Sequence, residues 1–161
     1  MISFAEQLAA SAGVPIDKIG VVIVDHGSRR SQSNELLKEV VNRFATQTQL
    51  TNVQAAHMEL AAPSIADAFQ AAVEQGAELV VVFPYFLSPG RHWNQDIPQL
   101  AAEAAKHHPT ARYLVTSPLG LHPAMICVMQ DRITQCLDHA GGGEACDLCV
   151  DSHTCQLQGG R

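Results

Sequence analysis

Two short runs of β-branched apolar residues limit the folds that this chain can adopt. Residues 19–25 and 78–83 are almost continuously apolar, which is typical of strands buried on both faces of a parallel sheet. Similar but weaker runs at 52–58 and 111–117 predict two more strands. Helical patterns separate the runs, and parallel strands need right-handed helical crossovers. The sequence therefore predicts an α/β protein with a mostly parallel sheet that is covered by helices on both faces.

Apolar residues recur every three or four positions in the segments between the predicted strands. Leu36, Val40 and Phe44 form one such stripe. Ser64, followed three residues later by Asp67, is typical of a capping box at the start of a helix. The predicted helices span residues 3–12, 32–47, 64–75, 95–107 and 122–139.

The length and charge of the chain exclude several classes of protein. Its 161 residues suit one domain with a short appendage. Ten Lys and Arg against sixteen Asp and Glu give a net charge of −6, so the broad basic field of a duplex-binding protein is missing and no nucleic-acid partner is expected. The longest apolar runs end before the roughly 18 residues of a membrane span, and the amino terminus lacks a signal-peptide layout. We therefore expect no membrane association, and a cytosolic chain or the mature part of an organellar protein.

Cysteines concentrate near the carboxyl terminus. Four of the five follow residue 135, namely Cys136, Cys146, Cys149 and Cys155. Because the chain shows no export signal, we expect these thiols to be reduced, and their spacing indicates a metal site. Spacing alone favours structural Zn²⁺ over an iron–sulfur cluster, with reduced surface thiols as the alternative.

Residues 141–145, Gly-Gly-Gly-Glu-Ala, indicate a flexible joint within this cysteine-rich region. No apolar periodicity follows the joint. We therefore expect three parts: a helical extension over 1–16, an α/β domain over 17–140 and a cysteine-rich tail over 141–161.

Chemically active side chains follow three of the predicted strands. His26 comes directly after the first strand, Glu59 lies at the end of the second, and His92 lies in the loop after the third. Ligands of parallel α/β sheets bind at the carboxyl ends of the strands, so we expect these side chains in one crevice. A lone histidine in such a place is more often structural. Two imidazoles and a carboxylate together suit a first-row divalent metal ion or proton transfer.

Arginines flank both histidines. Arg29 and Arg30 follow shortly after His26, and Arg91 directly precedes His92. Their guanidinium groups suit an anionic ligand with several carboxylates or phosphates, although a solvated loop also carries arginines. The sequence contains neither a phosphate loop nor the Gly-x-Ser-x-Gly elbow of a serine hydrolase. A nucleotide enzyme or a serine hydrolase is therefore not indicated.

Three motifs, in this order along the chain, resemble those of a known family. They are 22–30 (Val-Ile-Val-Asp-His-Gly-Ser-Arg-Arg), 57–65 (His-Met-Glu-Leu-Ala-Ala-Pro-Ser-Ile) and 86–98 (Phe-Leu-Ser-Pro-Gly-Arg-His-Trp-Asn-Gln-Asp-Ile-Pro). Together they resemble the short class II chelatases of the CbiX/SirB type, and most of all the plant and cyanobacterial sirohydrochlorin ferrochelatase branch. The resemblance covers the chain from about residue 17 onward.

The resemblance implies a fold, a function and a set of site residues. The family has a flavodoxin-like fold, and its short members are homodimers that insert Fe²⁺ into sirohydrochlorin to form siroheme, or Co²⁺ on the route to cobalamin. The implied location is the cytoplasm for a bacterial protein and the plastid stroma for a mature plant protein. Carried over position by position, the catalytic and metal-binding residues are His26, Glu59 and His92. The expected substrate-binding residues are Ser28, Arg29, Arg30 and Arg91.

The resemblance also changes the expectation for the tail. The plant and cyanobacterial members carry a similar cysteine pattern that holds a [2Fe–2S] cluster, which here would be bound by Cys136, Cys146, Cys149 and Cys155. Two alternatives to a ferrochelatase stay open. A cobaltochelatase would use the same ligands, because they suit both ions. A non-catalytic carrier of iron or a tetrapyrrole would bind without turnover.

Overall fold

The computed structural model describes residues 2–148 and contains a parallel sheet of four strands. The strands are β1 (Ile19–Asp25), β2 (Val53–His57), β3 (Leu79–Pro84) and β4 (Arg112–Val115). The helices are α1 (Phe4–Ala12), α2 (Ser31–Thr48), α3 (Ile65–Glu74), α4 (Ile97–Lys106) and α5 (Pro123–Ala140). The strand order is β2–β1–β3–β4. The predicted α/β fold with a parallel sheet is confirmed.

The register of the sheet aligns the ends of three strands. β1 pairs in parallel with both β2 and β3, with Asp25 opposite His57 and Val24 opposite Pro84. The carboxyl ends of β1, β2 and β3 therefore lie at the same edge of the sheet. The loops that follow them carry the residues that the sequence predicts to meet.

Apolar side chains cover both faces of the sheet. On one face, Val22 belongs to a core cluster with residues of α3 and α4, among which Phe69 is fully buried. On the other face, Ile23 and Leu37 of α2 belong to a second core cluster, against which residues of α1 pack. Alternate residues of β1 thus face opposite cores, as expected for a buried central strand.

The capping box at α3 forms as the sequence predicts. Ser64 Oγ accepts a hydrogen bond from the Asp67 N–H at 3.2 Å, and Asp67 Oδ2 accepts one from the Ser64 N–H at 2.8 Å. The hydrogen bonds from the Ser64 side chain and backbone lower the pKa of Asp67 below its usual value. This box fixes the start of α3 soon after the loop that carries Glu59.

The helical segment that leads into α4 begins at His92, earlier than the predicted start at residue 95. Residues His92–Asp96 form a π-helical turn, in which the Ile97 N–H donates to His92 O. Pro98 follows in the first turn of α4, where its missing N–H is tolerated. Turns of this kind are frequent at functional sites. Here the turn carries His92 at its first position.

The described chain divides into two compact units, with the boundary after Gly120. In the first unit, Leu8 and other residues of α1 pack against the second core cluster, so the predicted extension over 1–16 is integrated into this unit. The second unit contains α5 and the described part of the tail. Among the described helices, none is both long and apolar enough to cross a membrane.

Candidate functional site

The backbone ladder between β1 and β2 continues past the ends of the strands. The Met58 N–H donates to Asp25 O at 2.8 Å, and the Glu59 N–H donates to His26 O at 3.1 Å. These bonds hold the first residue after β1 beside the second residue after β2. Backbone pairing therefore places His26 next to Glu59.

Gly27 permits the close approach of the two loops. Its φ of +82° lies in the left-handed region, which a residue with a Cβ adopts at a cost of about 1–2 kcal/mol. A Cβ at this position would lie 2.0 Å from Glu59 O and 3.0 Å from His57 Cβ. No side chain fits in that space, so the loops can meet in this way only because residue 27 is glycine.

The side chain of His26 contacts that of Glu59 directly. His26 Nε2 lies 2.8 Å from Glu59 Oε1, and about half of each side chain is exposed. His26 Nδ1 lies 3.2 Å from Gly27 O. A ligand can therefore reach the imidazole and the carboxylate from solvent, and it meets nitrogen and oxygen donors together.

His92 joins this group from the loop after β3. Its ring centroid lies 5.2 Å from that of His26, and the two ring planes are 70° apart. His92 Nδ1 lies 2.7 Å from Asp96 Oδ2. When Nδ1–H donates to Asp96, Nε2 is left as the nitrogen that binds a ligand. Carboxylates orient metal-binding histidines in this way in many proteins.

Trp93 anchors the loop that carries His92. Its indole N–H donates to Thr116 O, just after β4, at 2.8 Å. Earlier in the loop, Phe86 O accepts a hydrogen bond from the Leu119 N–H at 3.0 Å, and Phe86 packs against the first core cluster. Although most of residues 85–91 are exposed, the loop is thus tied to the body of the unit on both sides of its tip.

A surface pocket of about 550 Å³ opens beside these loops. Glu59, Arg91, His92 and Asp96 line it, together with residues of α4 such as Leu100. The pocket combines acidic, basic and apolar groups, which suits a ligand with an apolar body and a charged rim.

The predicted arginines occupy exposed positions around the site. Arg29 and Arg30 are exposed in the loop after β1. The side chain of Arg91 is 80% exposed, and its Nε lies 3.8 Å from Asp96 Oδ1. Because this ion pair is long and exposed to solvent, it holds the guanidinium only weakly. All three arginines are therefore available to an anionic ligand.

Ser28 makes structural hydrogen bonds that no pattern in the sequence predicts. Its hydroxyl accepts a hydrogen bond from the Arg30 N–H at 3.0 Å. Its backbone N–H donates to Asn34 Oδ1 at 2.9 Å, and its carbonyl accepts from Asn34 Nδ2 at 2.8 Å. Asn34, also missed from the sequence, thus ties the loop after β1 to the first turn of α2.

The three predicted metal ligands lie together as parts of two side-chain pairs. These pairs are His26 with Glu59 and His92 with Asp96. Within residues 2–148, no three or more His, Cys, Asp or Glu side chains are already arranged to hold a metal ion. An ion shared by His26, Glu59 and His92 would have to replace the direct contact between His26 and Glu59. Their role as ligands stays a prediction.

The predicted cysteine site lies partly outside the described residues. Cys136 belongs to α5, and Cys146 follows that helix in the same unit. Cys149 and Cys155 lie beyond residue 148, where the description ends. The four-cysteine site therefore stays a prediction.

Comparisons with known proteins confirm the resemblance drawn from the three motifs. The chloroplastic sirohydrochlorin ferrochelatase of Arabidopsis thaliana is 51% identical over 142 residues, which are 88% of this chain and 63% of that protein. The sirohydrochlorin cobaltochelatase of Methanocaldococcus jannaschii is 36% identical over 88 residues, which are 55% of this chain and 62% of that protein. The matched part of the chain thus spans less than two thirds of either relative.

A solved structure and a family model give the same result. The structure of SirB from Bacillus subtilis with Fe³⁺ superposes with a TM-score of 0.69 at 25% identity, covering 73% of this chain and 46% of that one. The model of the CbiX family matches residues 20–136. Because this match extends from β1 into α5 and covers most of the sequence, the chain belongs to the CbiX family.

Proposed function

We propose that this protein is a sirohydrochlorin ferrochelatase, an enzyme that inserts Fe²⁺ into sirohydrochlorin to form siroheme. The observation that carries this proposal is the meeting of His26, Glu59 and His92 at the carboxyl ends of three neighbouring strands. The name of the Arabidopsis relative and the Fe³⁺ in the Bacillus structure support the same substrate and metal.

Metal capture uses both side-chain pairs of the site. Asp96 holds Nδ1 of His92, so Nε2 is presented as a neutral nitrogen ligand for the incoming Fe²⁺. The ion then binds His26 Nε2 and Glu59 in place of the direct contact between them, and any proton held between these two atoms must leave them as the ion binds. Ligands of this moderate strength leave positions on the ion open for the nitrogens of the macrocycle.

The same groups take up the protons that insertion releases. Fe²⁺ enters the macrocycle only when the pyrrole N–H protons leave it. As the ion passes to the macrocycle, His26 and Glu59 lose their metal contact, and their nitrogen and oxygen atoms can accept protons. Once the protons in excess of this resting state have passed to solvent, the 2.8 Å contact between the two side chains is restored. The site is ready for the next ion.

Positive charge around the site suits the substrate. Sirohydrochlorin is a polycarboxylate, whereas the chain carries a net charge of −6, so a local cationic surface is needed to attract it. We assign substrate binding to the loop residues Ser28, Arg29, Arg30 and Arg91.

Arg91→Ala is expected to raise the KM for sirohydrochlorin about fivefold with little change in kcat. The reason is that an exposed guanidinium–carboxylate contact contributes about 1 kcal/mol. Because salt screens such contacts, added NaCl should weaken substrate binding by the wild type more than by the variant. Initial rates at several substrate and salt concentrations measure both effects.

Arg43→Ala is the matched control for this substitution. Arg43 is also exposed and has a similar ion pair, 4.0 Å from Glu39, but it lies about 18 Å along α2 from the start of that helix. If Arg91→Ala has the same KM and salt dependence as Arg43→Ala, Arg91 does not bind the substrate.

An anaerobic absorbance assay tests the proposed function. Purified protein is mixed with an excess of sirohydrochlorin and Fe²⁺, and the spectrum of siroheme is followed against a mixture without protein. An enzyme forms many equivalents of siroheme for each protein chain, and that is the expected result. Formation of no more than one equivalent would show a carrier of iron or tetrapyrrole and would contradict the proposal.

Cobalt insertion is the second candidate activity, because the archaeal relative is named a cobaltochelatase. Imidazole and carboxylate ligands bind Co²⁺ as well as Fe²⁺. We expect turnover with both ions. If only Co²⁺ is inserted, the protein is a cobaltochelatase and the ferrochelatase assignment is wrong.

For the tail, we propose a [2Fe–2S] cluster bound by Cys136, Cys146, Cys149 and Cys155. Four thiolates suit such a cluster. The pKa of Arg132 is raised by its ion pair with Asp147 and by Cys146, so a guanidinium lies close to one of the proposed ligands. A cation beside a thiol favours the thiolate form, which binds metal.

Protein purified without oxygen is expected to be coloured, and the visible absorption should bleach with dithionite. Cys146→Ser combined with Cys149→Ser should abolish the colour, because two of the proposed ligands are removed. Insertion of iron into sirohydrochlorin should continue at a comparable rate, since a cluster with four thiolates has no open position for exchanging iron. Absorbance, metal content and the turnover assay measure these three properties.

Cys127→Ser is the control, since Cys127 is not among the proposed ligands, and it should keep the colour. A colourless wild type that contains zinc would show that no cluster is present. Loss of both colour and turnover in a folded double variant would show that the cluster is needed for insertion.

The family resemblance also supports a homodimer as the assembled form.

The chloroplastic location named for the Arabidopsis relative supports the plastid stroma for a plant protein, and the cytoplasm is proposed for a bacterial one. The oligomeric state has its own test. Light scattering during size-exclusion chromatography measures the assembled mass.

A further inference from the structure

A buried histidine–aspartate pair lies directly beneath the site. His57, the last residue of β2, is fully buried, and its Nδ1 lies 2.6 Å from Oδ1 of its register partner Asp25. About a quarter of the Asp25 side chain is exposed. Asp25 directly precedes His26, and His57 lies two residues before Glu59. The pair therefore joins the two strands at the point where both lead into the site.

Burial of the His57 ring is unfavourable unless the ring makes a useful contact. Among the described residues, none forms a hydrogen bond with its Nε2. A buried polar atom without a partner costs about 1–3 kcal/mol, and an apolar ring of similar size would avoid this loss. The one side-chain hydrogen bond shown for the ring is the short bond to Asp25.

Asp25 connects this buried ring to the turn that carries His26. Its Oδ1 accepts a hydrogen bond from the Gly27 N–H at 2.9 Å, in addition to the bond with His57. Gly27 O lies 3.2 Å from His26 Nδ1. A continuous series of contacts thus runs from His57 through Asp25 and Gly27 to the imidazole of His26.

We propose that Asp25 and His57 are a positioning pair, which holds the Gly27 turn in place and thereby sets the position of His26 relative to Glu59. His57 orients the Asp25 carboxylate, and Oδ1 of Asp25 fixes the Gly27 N–H. The pair acts through His26 and contacts neither metal nor substrate. This inference rests on the proposed function only in that His26 is taken as a ligand of the incoming metal.

Three variants separate positioning from simple stabilisation. Asp25→Ala removes the acceptor for both hydrogen bonds. Asp25→Asn keeps an oxygen at the Oδ1 position, so it is the conservative variant that should restore the contacts. His57→Phe keeps a buried ring, removes the donor to Asp25 and also removes the unpartnered Nε2. Its thermal stability should therefore stay close to that of the wild type.

The first measurement is the rate of amide hydrogen exchange at Gly27, which NMR detects on the protein without metal. Exchange should be about tenfold faster or more in Asp25→Ala and His57→Phe, and Asp25→Asn should restore most of the protection. The second measurement is the insertion assay, in which the KM for Fe²⁺ should rise about tenfold in the same two variants. The KM for sirohydrochlorin should change little.

The outcomes distinguish this proposal from the proposed function. Wild-type exchange at Gly27 together with a wild-type KM for Fe²⁺ in folded His57→Phe would overturn the positioning role. Equal defects in Asp25→Asn and Asp25→Ala would overturn the hydrogen-bond mechanism. A wild type that does not metallate sirohydrochlorin would contradict the proposed function instead. The exchange rates at Gly27 would still test whether Asp25 and His57 hold the Gly27 turn in place.

Discussion

Replacing His92 by Ala is expected to reduce the rate of iron insertion at least about 100-fold. The substitution removes the nitrogen that Asp96 orients toward the site, together with the ring next to His26. The side chain of His92 is nearly half exposed and contributes little to the core, so the variant should fold normally. Anaerobic turnover measurements, with circular dichroism as a check on folding, test this expectation.

His107→Ala is a suitable control for the loss of an exposed histidine. His107 follows α4 directly, whereas His92 lies just before it, so the two residues are about 20 Å apart along the helix. His107→Ala should turn over like the wild type. Near-normal turnover in His92→Ala would show that His92 takes no part in insertion, and the proposed site would then be wrong.

The elements of the fold could be predicted because their signals are local. The apolar run at 19–25 became β1 with the same bounds, since a strand between two cores needs apolar side chains on both faces. Ser64 and Asp67 marked the start of α3 because a capping box lies within four consecutive residues.

The candidate site could be predicted as a set of residues, but its internal contacts could not. His26, Glu59 and His92 were expected together because parallel strands end at one edge of a sheet, and the structure places them there. The bond between Asp25 and His57 depends on the register of β1 with β2. No local pattern encodes that register, and in the sequence His57 is only one residue of an apolar run.

Asp96 was missed for a different reason. It lies four residues after His92, and residues with this spacing share one face of a helix. The sequence predicts that the helix begins near residue 95, which places His92 in a loop, and in a loop this spacing predicts no contact. In the structure the π-helical turn begins at His92, and this earlier start is what places Asp96 against the imidazole.

Gly27→Ala is expected to destabilise the protein by about 2–5 kcal/mol and to abolish iron insertion. The left-handed backbone accounts for about 1–2 kcal/mol, and forcing a methyl group into filled space adds about 1–3 kcal/mol. The added Cβ would lie 2.0 Å from Glu59 O. The loop that carries Glu59 must therefore move away from His26, which separates the two groups that we propose share the ion. Urea denaturation measures the stability, and the anaerobic assay measures turnover.

Gly76→Ala separates the cost of the left-handed backbone conformation from the cost of the steric contact with Glu59 O. Gly76 also has a positive φ, +97°, but a Cβ there would meet no atom within 4 Å. This variant should lose only the roughly 1–2 kcal/mol of the left-handed backbone and keep wild-type turnover, because the turn after α3 lies at the opposite end of β3 from His92. Equal losses of stability in the two variants would show that the loops can separate without strain. Normal turnover in a folded Gly27→Ala protein would show further that insertion does not need His26 held against Glu59. That result would contradict two proposals: that His26 and Glu59 share the ion, and that insertion depends on the position of His26.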